Sequence, residues 1–233
     1  MLAVRKPEYW SYLQSGADVV SSSPDLAPLG PTDPRVVGPY QVNGHYRPDS
    51  SGSIYFGTDD ESDVLVRVVD RRLIPNQLAA DIASERIERL KELVDTGISP
   101  IQAYSWEDAV PWIAVQGGDD SSLSAIVADQ GALIARDVEI LARFMAQALD
   151  AMHTVGVIHG SLRPSSIRVR PGQPLLVDAG LYAPIHDLLG SGAANSVVDA
   201  AWMTPEQLSG GSVSQMTDVY LWALLVLFAA SGA

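Results

Sequence analysis

The hydrophobic pattern of this chain changes once, near residue 120, and this change limits the folds open to it. Before that point, five short runs are rich in β-branched and aromatic residues and are separated by turn-forming stretches, which is typical of strands. The runs are YQVNGHY, GSIYFGT, DVLVRVV, ISPIQAYSWED and AVPWIAVQ. Between the third and fourth runs, residues 76–95 carry apolar side chains near helical spacing. The pattern predicts five strands, with one helix after the third.

The second part of the chain is predicted to be helical. LSAIVADQG and ARDVEILARFMAQALDAMHTVG both show helical spacing, and the longer segment carries one apolar stripe. The most apolar run, residues 219–230, is shorter than the ~20 residues that a membrane-spanning helix needs. We interpret it as a buried helix of the fold, with an interrupted membrane segment as the alternative. Strands followed by helices predict an α+β fold.

Composition removes several classes of partner and site. The chain contains no cysteine, which excludes disulfides, thiol nucleophiles and cysteine metal sites. Its net charge of −13 argues against nucleic acid and anionic membrane surfaces as partners. No signal peptide is recognised at the N-terminus, and the Ser- and Pro-rich composition of residues 1–38 predicts a flexible leading segment.

A sequence typical of a catalytic loop lies in the C-terminal third. HGSLRPSS, residues 159–166, precedes a strand pair that ends in an Asp-x-Gly beginning at Asp178. PWIAVQGGDDSSL, AAWMTPEQL and TDVYLWALL occur in the order, and on the elements, expected of a protein kinase domain. From about Gly38 onward the chain resembles the bacterial eukaryotic-like (Hanks-type) Ser/Thr protein kinases. The resemblance implies a two-lobed fold with a small five-stranded antiparallel N-lobe, carrying one helix, and a mainly helical C-lobe.

The resemblance also implies domain boundaries. Residues 1–38 form a flexible, juxtamembrane-like segment, residues 39–118 the N-lobe and hinge, and residues 119–233 the C-lobe. A C-lobe that ends at its central apolar helix exposes that helix, which favours a covering partner, a second copy or a further segment. In the family, the equivalent of Glu206 pairs with a later Arg. Here that Arg lies beyond Ala233, or Glu206 has another partner.

The N-lobe departs from the kinase pattern at the positions that face a nucleotide. Of the glycine-rich loop only Gly52 remains, while Arg47 and Asp49 replace the first two glycines. Arg67 stands in place of the Lys of the third strand. Arginine is longer and forked, so it is not an equivalent replacement. We interpret Arg67 as a partner for the 77–95 helix, whose facing residue is left open among Glu85, Arg86 and Glu88.

The C-lobe departs from the pattern in the catalytic loop itself. Gly160 replaces the Arg that reads a phosphorylated activation loop, Ser161 the catalytic Asp, and Ser166 the metal-binding Asn. Serine is neutral and too weak a base to replace the carboxylate. Asp178 is the retained metal ligand, and one carboxylate is a weak site for a divalent cation. The retained His159 is interpreted as a packed core histidine.

These departures predict a pseudokinase, that is, no enzymatic activity and no cofactor, or at most weak binding of ATP and Mg²⁺. The expected function is a regulatory or scaffolding protein-interaction module in bacterial Ser/Thr phosphosignalling. Similar kinase-like domains in actinobacteria are attached to membrane proteins of cell-wall synthesis, such as the MviN lipid flippase family. There, once phosphorylated, they recruit phosphopeptide-binding FHA proteins. The resemblance thus implies a cytoplasmic domain, free or attached to a membrane protein through a linked segment. The implied partners are an FHA-type protein, an active Ser/Thr kinase or a second copy.

Two alternatives stay open. One is a divergent kinase or nucleotidyl transferase that uses Asp178 with a relocated carboxylate, which could be Asp119, Asp120 or Asp199. The other is a sensor of nucleotides or small molecules in the cleft between the lobes. Its expected walls are Ile54, Val66, Val115 and Leu175 or Leu176, with the hinge at residues 116–118. If a nucleotide binds, the expected contacts are Arg67, Val115, Gln116, Gly118 and Asp178.

Overall fold

The computed structural model of the chain describes residues 26–46, 52–59, 62–93, 95–118, 120–170, 173–177 and 200–232. Several residues singled out from the sequence lie outside these ranges: Arg47, Asp49, Asp119, Asp178 and Asp199.

The N-terminal part is an antiparallel sheet with one helix against it. Its strands are β1 (Leu26–Ala27), β2 (Val36–Val37), β3 (Tyr40–Tyr46), β4 (Gly52–Thr58), β5 (Asp63–Val69), β6 (Ile101–Ser105) and β7 (Trp112–Gln116). The order is β1-β3-β4-β5-β7-β6, and β2 pairs with β3. Helix α1 (Gln77–Lys91) follows β5 and begins where the Asn76 side chain accepts a hydrogen bond from the backbone N–H of Ala79. The five predicted strands correspond to β3–β7, and the predicted helix corresponds to α1.

Residues 26–38 differ from the prediction of a flexible segment. Leu26 and Ala27 pair with Tyr46 and His45 of β3, and Val36 and Val37 pair with the other end of the same strand. The Ser- and Pro-rich composition did not indicate these strands, because each is only two residues long and depends on β3 for its hydrogen bonds.

The C-terminal part is mainly helical. It contains α2 (Leu123–Gln130), α3 (Ala135–Thr154), α4 (Pro205–Leu208) and α5 (Gln215–Ser231). A three-stranded sheet, ordered β10-β9-β8, lies at its upper edge and consists of β8 (Ser121–Ser122), β9 (Ile167–Arg170) and β10 (Gln173–Leu176). Side chains of α2, α3, α5 and β9 form one continuous apolar core. The predicted architecture, a strand-rich lobe followed by a helical lobe, is confirmed.

Helix α5 contains the most apolar run of the sequence and is buried on one face only. Leu221, Leu225 and Ala229 are fully buried against the core, whereas Met216 and Leu227 are among the exposed side chains of the opposite face. The prediction of a buried helix therefore holds for one face. Among the described residues, no helix combines the length and the apolar character that a membrane crossing requires.

Candidate functional site

The segment 159–166 is held in place through its backbone by a buried carboxylate of α5. Asp218, which is fully buried, accepts hydrogen bonds from the backbone N–H of His159 at 3.0 Å and of Gly160 at 2.7 Å. The Nε2 atom of His153, on the last turn of α3, lies 2.7 Å from the same carboxylate. Hydrogen bonds to an ionised acceptor are among the stronger ones in proteins. Asp218 thus fixes the entry to the loop.

A second helix holds the same loop from the other side. The side-chain amide of Gln207, on α4, donates to the carbonyl oxygen of Gly160 at 2.8 Å. Gln207 is itself positioned by a capping box with Thr204 at the N-terminus of α4. Gly160 has a φ of +74°, a left-handed conformation that favours glycine over the Arg of the kinase pattern.

The side chains inside the loop are buried. His159, Leu162 and Ser166 are completely inaccessible, and Ser161 is 9% exposed. The Nδ1 atom of His159 accepts a hydrogen bond from the backbone N–H of Ser161 at 3.2 Å, which fits the structural role predicted for this histidine. The loop therefore has a defined shape, but it presents a hydroxyl where a carboxylate base would act.

Glu206 has a partner within the described residues. The hydroxyl of Thr217, on α5, donates to Glu206 Oε1 at 3.0 Å. Burial raises the pKa of Glu206, but hydrogen bonds from its own backbone N–H and from the hydroxyls of Thr204 and Thr217 outweigh this effect and hold the pKa below its usual range. Glu206 on α4 is thus linked to α5 through the hydroxyl of Thr217.

Arg67 is placed on the inner face of the N-lobe sheet by the alternation of β5. Val64 and Val66 point to the outer core of the lobe, whereas Leu65 and Val69 point inward. Because side chains alternate along a strand, Arg67 lies on the same face as Leu65 and Val69, and it is 4% exposed. The guanidinium group of Arg67 is thereby buried on the face of the sheet that is directed towards the C-lobe.

The candidate partners of Arg67 on α1 differ in their surroundings. Glu85 is exposed and bonds to Arg89. Glu88 is also exposed, and it contacts the hydroxyl of Tyr104 and the ammonium of Lys91. Both carboxylates thus form exposed ion pairs with other residues of α1, whereas Arg67 is buried.

The cleft between the lobes is lined by apolar residues from both of them. Ile54 and Leu65 from the N-lobe, Val115 at its edge, and Leu175 and Val177 from the C-lobe form one buried cluster. Val66, which the sequence analysis placed in the wall, belongs to the outer core instead, since it points to the opposite side of β5. Of the two open choices on β10, Leu175 faces the cleft, whereas Leu176 packs in the core of the C-lobe.

The hinge uses several of its backbone groups for internal hydrogen bonds. The N–H of Gln116 donates to the carbonyl oxygen of Pro100 at 2.7 Å, and the carbonyl oxygen of Gln116 accepts from the hydroxyl of Ser99. The carbonyl oxygen of Gly118 accepts from the Tyr46 hydroxyl at 3.3 Å. Two of the acceptors that a ligand in the cleft would meet at the hinge are therefore already engaged.

Tyr46 and Arg168 are the residues of this region that the sequence analysis missed. The guanidinium carbon of Arg168 lies 3.9 Å from the centre of the Tyr46 ring, and the two residues are 2% and 1% exposed. The alternation of β9 places Arg168 opposite to Ile167 and Val169, which predicts an exposed side chain. It is buried because the N-lobe covers that face of β9, and no local pattern reports such a long-range contact.

Gly52, the remaining glycine of the predicted loop, has a structural reason to be there. Its φ is +138°, and a Cβ atom on this residue would lie 2.0 Å from the carbonyl oxygen of Val68 on β5. Only glycine permits this close approach of the two backbones. The close packing of β4 on β5 therefore explains this glycine, and no role in binding phosphate is needed to account for it.

The fold and the loop together define the class of protein that the chain resembles, the protein kinase domains. The PknI kinase domain of Mycobacterium tuberculosis superposes with a TM-score of 0.66 at 18% identity, over 92% of this chain and 77% of that one. Rad53, solved in complex with AMP-PNP, gives a TM-score of 0.65 at 16% identity, over 84% of this chain and 49% of that one. At these identities the likeness establishes the kinase fold.

Sequence comparison identifies particular relatives among bacterial Ser/Thr protein kinases. AfsK of Streptomyces coelicolor is 28% identical over 202 residues, which cover 86% of this chain and 25% of AfsK. The probable kinase PkwA of Thermomonospora curvata is 26% identical over 212 residues, covering 89% and 28% respectively. PknD of M. tuberculosis is 27% identical over 202 residues, covering 84% and 30%. The chain thus spans about a quarter to a third of the length of these relatives, and no family model matches it.

These relatives correct the expectation that the chain is not an enzyme. They match most of its length, and each is named as a Ser/Thr protein kinase, which points to an enzyme. That expectation rested on the replacements at three positions, Arg67, Ser161 and Ser166, and gave too little weight to the similarity of the whole domain. Kinase relatives also imply binding of ATP and Mg²⁺ in the family.

The described residues fit a nucleotide in their chemistry. The apolar cluster around Ile54, Val115 and Leu175 suits a flat base, and the buried cation of Arg67 suits the charge of phosphates. Within the described parts of the chain, no three His, Asp or Glu side chains come together as a metal site, and Asp178 lies outside those parts. In this conformation, however, Tyr46 takes part in the same apolar cluster as the walls.

Proposed function

We propose that the chain is a divergent Ser/Thr protein kinase domain of bacterial phosphosignalling, one that transfers phosphate slowly. The observation that carries this proposal is the fixed geometry of the catalytic-type loop. Asp218 and Gln207 hold its backbone through three hydrogen bonds, although the side chains that act on substrates have changed. Holding the catalytic-type loop in a fixed position is a large part of what phosphoryl transfer requires of a protein.

Arg67 is the residue we assign to binding of the nucleotide phosphates. It is a buried cation on the inner face of the sheet, and a guanidinium presents several N–H donors in a fork that suits phosphate oxygens. When bound, ATP supplies the phosphoryl group and Mg²⁺ neutralises its charge. The protein contributes orientation and charge.

Ser161 sets the expected rate. A positioned general base contributes about 10²–10⁴-fold to a reaction, and a serine hydroxyl does not supply that contribution. We therefore expect a rate lower by about that factor than in a kinase with a carboxylate at this position. The remaining activity would come from orientation and electrostatic stabilisation.

The test is transfer of labelled phosphate from ATP to myelin basic protein, with Mg²⁺ or Mn²⁺, by the purified chain. Ser161→Asp introduces the missing carboxylate and should raise the rate, whereas Ser161→Ala should leave it within a few-fold of the original. Asp178→Ala should abolish transfer, both in the otherwise unchanged chain and in combination with Ser161→Asp. No incorporation by either the unchanged chain or Ser161→Asp would contradict the proposal.

A second, regulatory function is compatible with slow transfer. The retained frame of the loop, with buried Ser161 and Ser166 in place of the acting residues, supports a domain whose shape is used by a partner. We propose that an active bacterial Ser/Thr kinase phosphorylates the chain and that an FHA-type domain then binds it. Phosphosite mapping after incubation with such a kinase, followed by a pull-down with an FHA domain, tests this. Absence of incorporated phosphate would exclude it.

A further inference from the structure

The two lobes are joined across the cleft by a stacked pair of side chains. Tyr46 is the last residue of β3 in the N-lobe sheet, and Arg168 lies in β9 of the small C-lobe sheet. The guanidinium carbon lies 3.9 Å from the ring centre, well within the range of a cation–π interaction. Both side chains are essentially inaccessible to solvent. The contact is therefore buried between the lobes.

Tyr46 is also bonded to the hinge, and Arg168 to the first part of the C-lobe chain that follows it. The Tyr46 hydroxyl donates to the carbonyl oxygen of Gly118, and Arg168 Nη1 donates to the carbonyl oxygen of Asp120, both at 3.3 Å. The hinge is the segment about which the lobes would move apart. The stack on Arg168 and the hydrogen bond to Gly118 are thus the contacts of Tyr46 that must break if the N-lobe moves away.

The Tyr46 ring occupies the space that a ligand would need. It packs in one cluster with Ile54 and Val115 on the N-lobe side and with Leu175 on the C-lobe side. Protein interiors are close-packed, so a second flat ring cannot enter the same cluster while the first one stays. The acceptors on Gln116 and Gly118 are likewise engaged within the protein.

We propose that Tyr46 and Arg168 form a closing pair that bars the inter-lobe cleft, and that a nucleotide base enters only when the pair separates. This inference rests on the proposed function, since it concerns the same cleft. A protein whose binding-competent state is a minor one shows an affinity reduced by the fraction of that state. The pair therefore keeps the chain in a low-affinity state and makes separation of the lobes the step that regulation would act on.

The proposal predicts tighter nucleotide binding when the stack is removed. Cation–π interactions correspond to about 2- to 30-fold in an equilibrium constant. Tyr46→Leu retains an apolar side chain at this position but cannot stack on the guanidinium. It should bind N-methylanthraniloyl-ADP about 2- to 30-fold more tightly than the unchanged chain, as measured by fluorescence titration with and without Mg²⁺. Arg168→Met, which keeps a linear apolar stem, should act in the same direction.

Two controls separate closure from general loosening of the N-lobe. Tyr46→Phe keeps the ring over Arg168 but loses the hydrogen bond from its hydroxyl to Gly118, so its gain in affinity should be smaller than that of Tyr46→Leu. Tyr55→Leu makes the same truncation at a residue that is also buried but lies in the outer core. It should leave the affinity unchanged. Circular dichroism establishes whether each variant is folded. If Tyr46→Leu does not fold, Arg168→Met tests the same contact from the other side.

The outcomes distinguish this inference from the proposed function. Equal affinity in the unchanged chain, Tyr46→Leu and Arg168→Met would overturn the closing pair, as would an equal gain in Tyr55→Leu or the absence of binding in every variant. A gain in affinity without phosphoryl transfer would support the closing pair and contradict the kinase proposal. Phosphoryl transfer by the chain, with the same nucleotide affinity in Tyr46→Leu and Arg168→Met as in the unchanged chain, would support the kinase proposal and contradict the closing pair.

Discussion

The carboxylate of Asp218 is expected to be one of the most important single groups for stability in the C-lobe. Asp218→Asn is the informative change, because it preserves the size and shape of the side chain and removes only the charge and one acceptor oxygen. The carboxylate is fully buried and accepts from two backbone N–H groups at 3.0 and 2.7 Å, while His153 Nε2 lies 2.7 Å away.

The size of the effect follows from these contacts. In the Asn variant, the amide oxygen keeps one backbone N–H, now as a neutral hydrogen bond. A bond to a charged group contributes about 1.5–3 kcal/mol and a neutral one about 0.5–1.5 kcal/mol. The amide NH₂ faces the other backbone donor, which is left unsatisfied at a cost of about 1–3 kcal/mol. With the weakened contact to His153, the free energy of unfolding should fall by about 3–5 kcal/mol.

Urea unfolding at pH 7, followed by tryptophan fluorescence, measures this loss. Trp222 is one of the five tryptophans that contribute to this signal. It lies on the same helix as Asp218 and donates to the carbonyl oxygen of Ala142 at 2.9 Å, so it is the one placed at the packing of α5 against α3. Asp150→Asn makes the same chemical change at an exposed position of α3 and should remain within about 0.5 kcal/mol of the unchanged chain. If Asp218→Asn stayed within about 1 kcal/mol at an unchanged denaturant slope, the assignment of Asp218 as the anchor of the loop would be wrong.

Three further changes test other parts of the structure. Gly52→Ala should lower the free energy of unfolding by at least about 1–3 kcal/mol, because the added Cβ both strains the backbone and collides with the carbonyl oxygen of Val68. Gly131→Ala should cost less, because its φ of +79° brings the same kind of strain but no atom lies within 4 Å of the added Cβ. Equal losses of stability in the two variants would contradict the close approach of Gly52 to the backbone of β5. Thr217→Val preserves shape but removes the hydroxyl that donates to Glu206, and it should cost about 1–3 kcal/mol in the same assay; a neutral result would dismiss this contact. Burial raises the pKa of Asp137, which is 4% exposed, so the folded state binds its proton more tightly than the unfolded state and the residue lowers stability as the pH rises. Asp137→Asn should therefore gain stability relative to the unchanged chain between pH 3 and pH 7, and a difference independent of pH would show that burial does not penalise this carboxylate.

Local patterns in the sequence predicted the elements of the fold but not the contacts between distant elements. Runs rich in β-branched and aromatic residues predicted β3–β7, and the helical spacing of apolar residues predicted α3. The side of β5 on which Val66 lies required the register of the sheet. It was assigned to the cleft and lies in the outer core.

The candidate site was predictable to a similar extent. The motif around residues 159–166 located the loop, and the structure shows how Asp218 anchors it. The stack of Tyr46 on Arg168 could not be predicted, since neither strand contains a sign of the other and the two residues meet only when the lobes are assembled. The enzymatic class was likewise misjudged from single positions and corrected by the similarity of the whole domain.

The way in which the loop is anchored has a consequence for how its sequence can vary. Asp218 and Gln207 bind the N–H and C=O groups of His159 and Gly160, not their side chains. Every residue except proline offers the same N–H group. Substitutions at positions such as 161 can therefore accumulate over generations without altering the path of the backbone. A carboxylate introduced at position 161 would therefore find the backbone of the loop already in place.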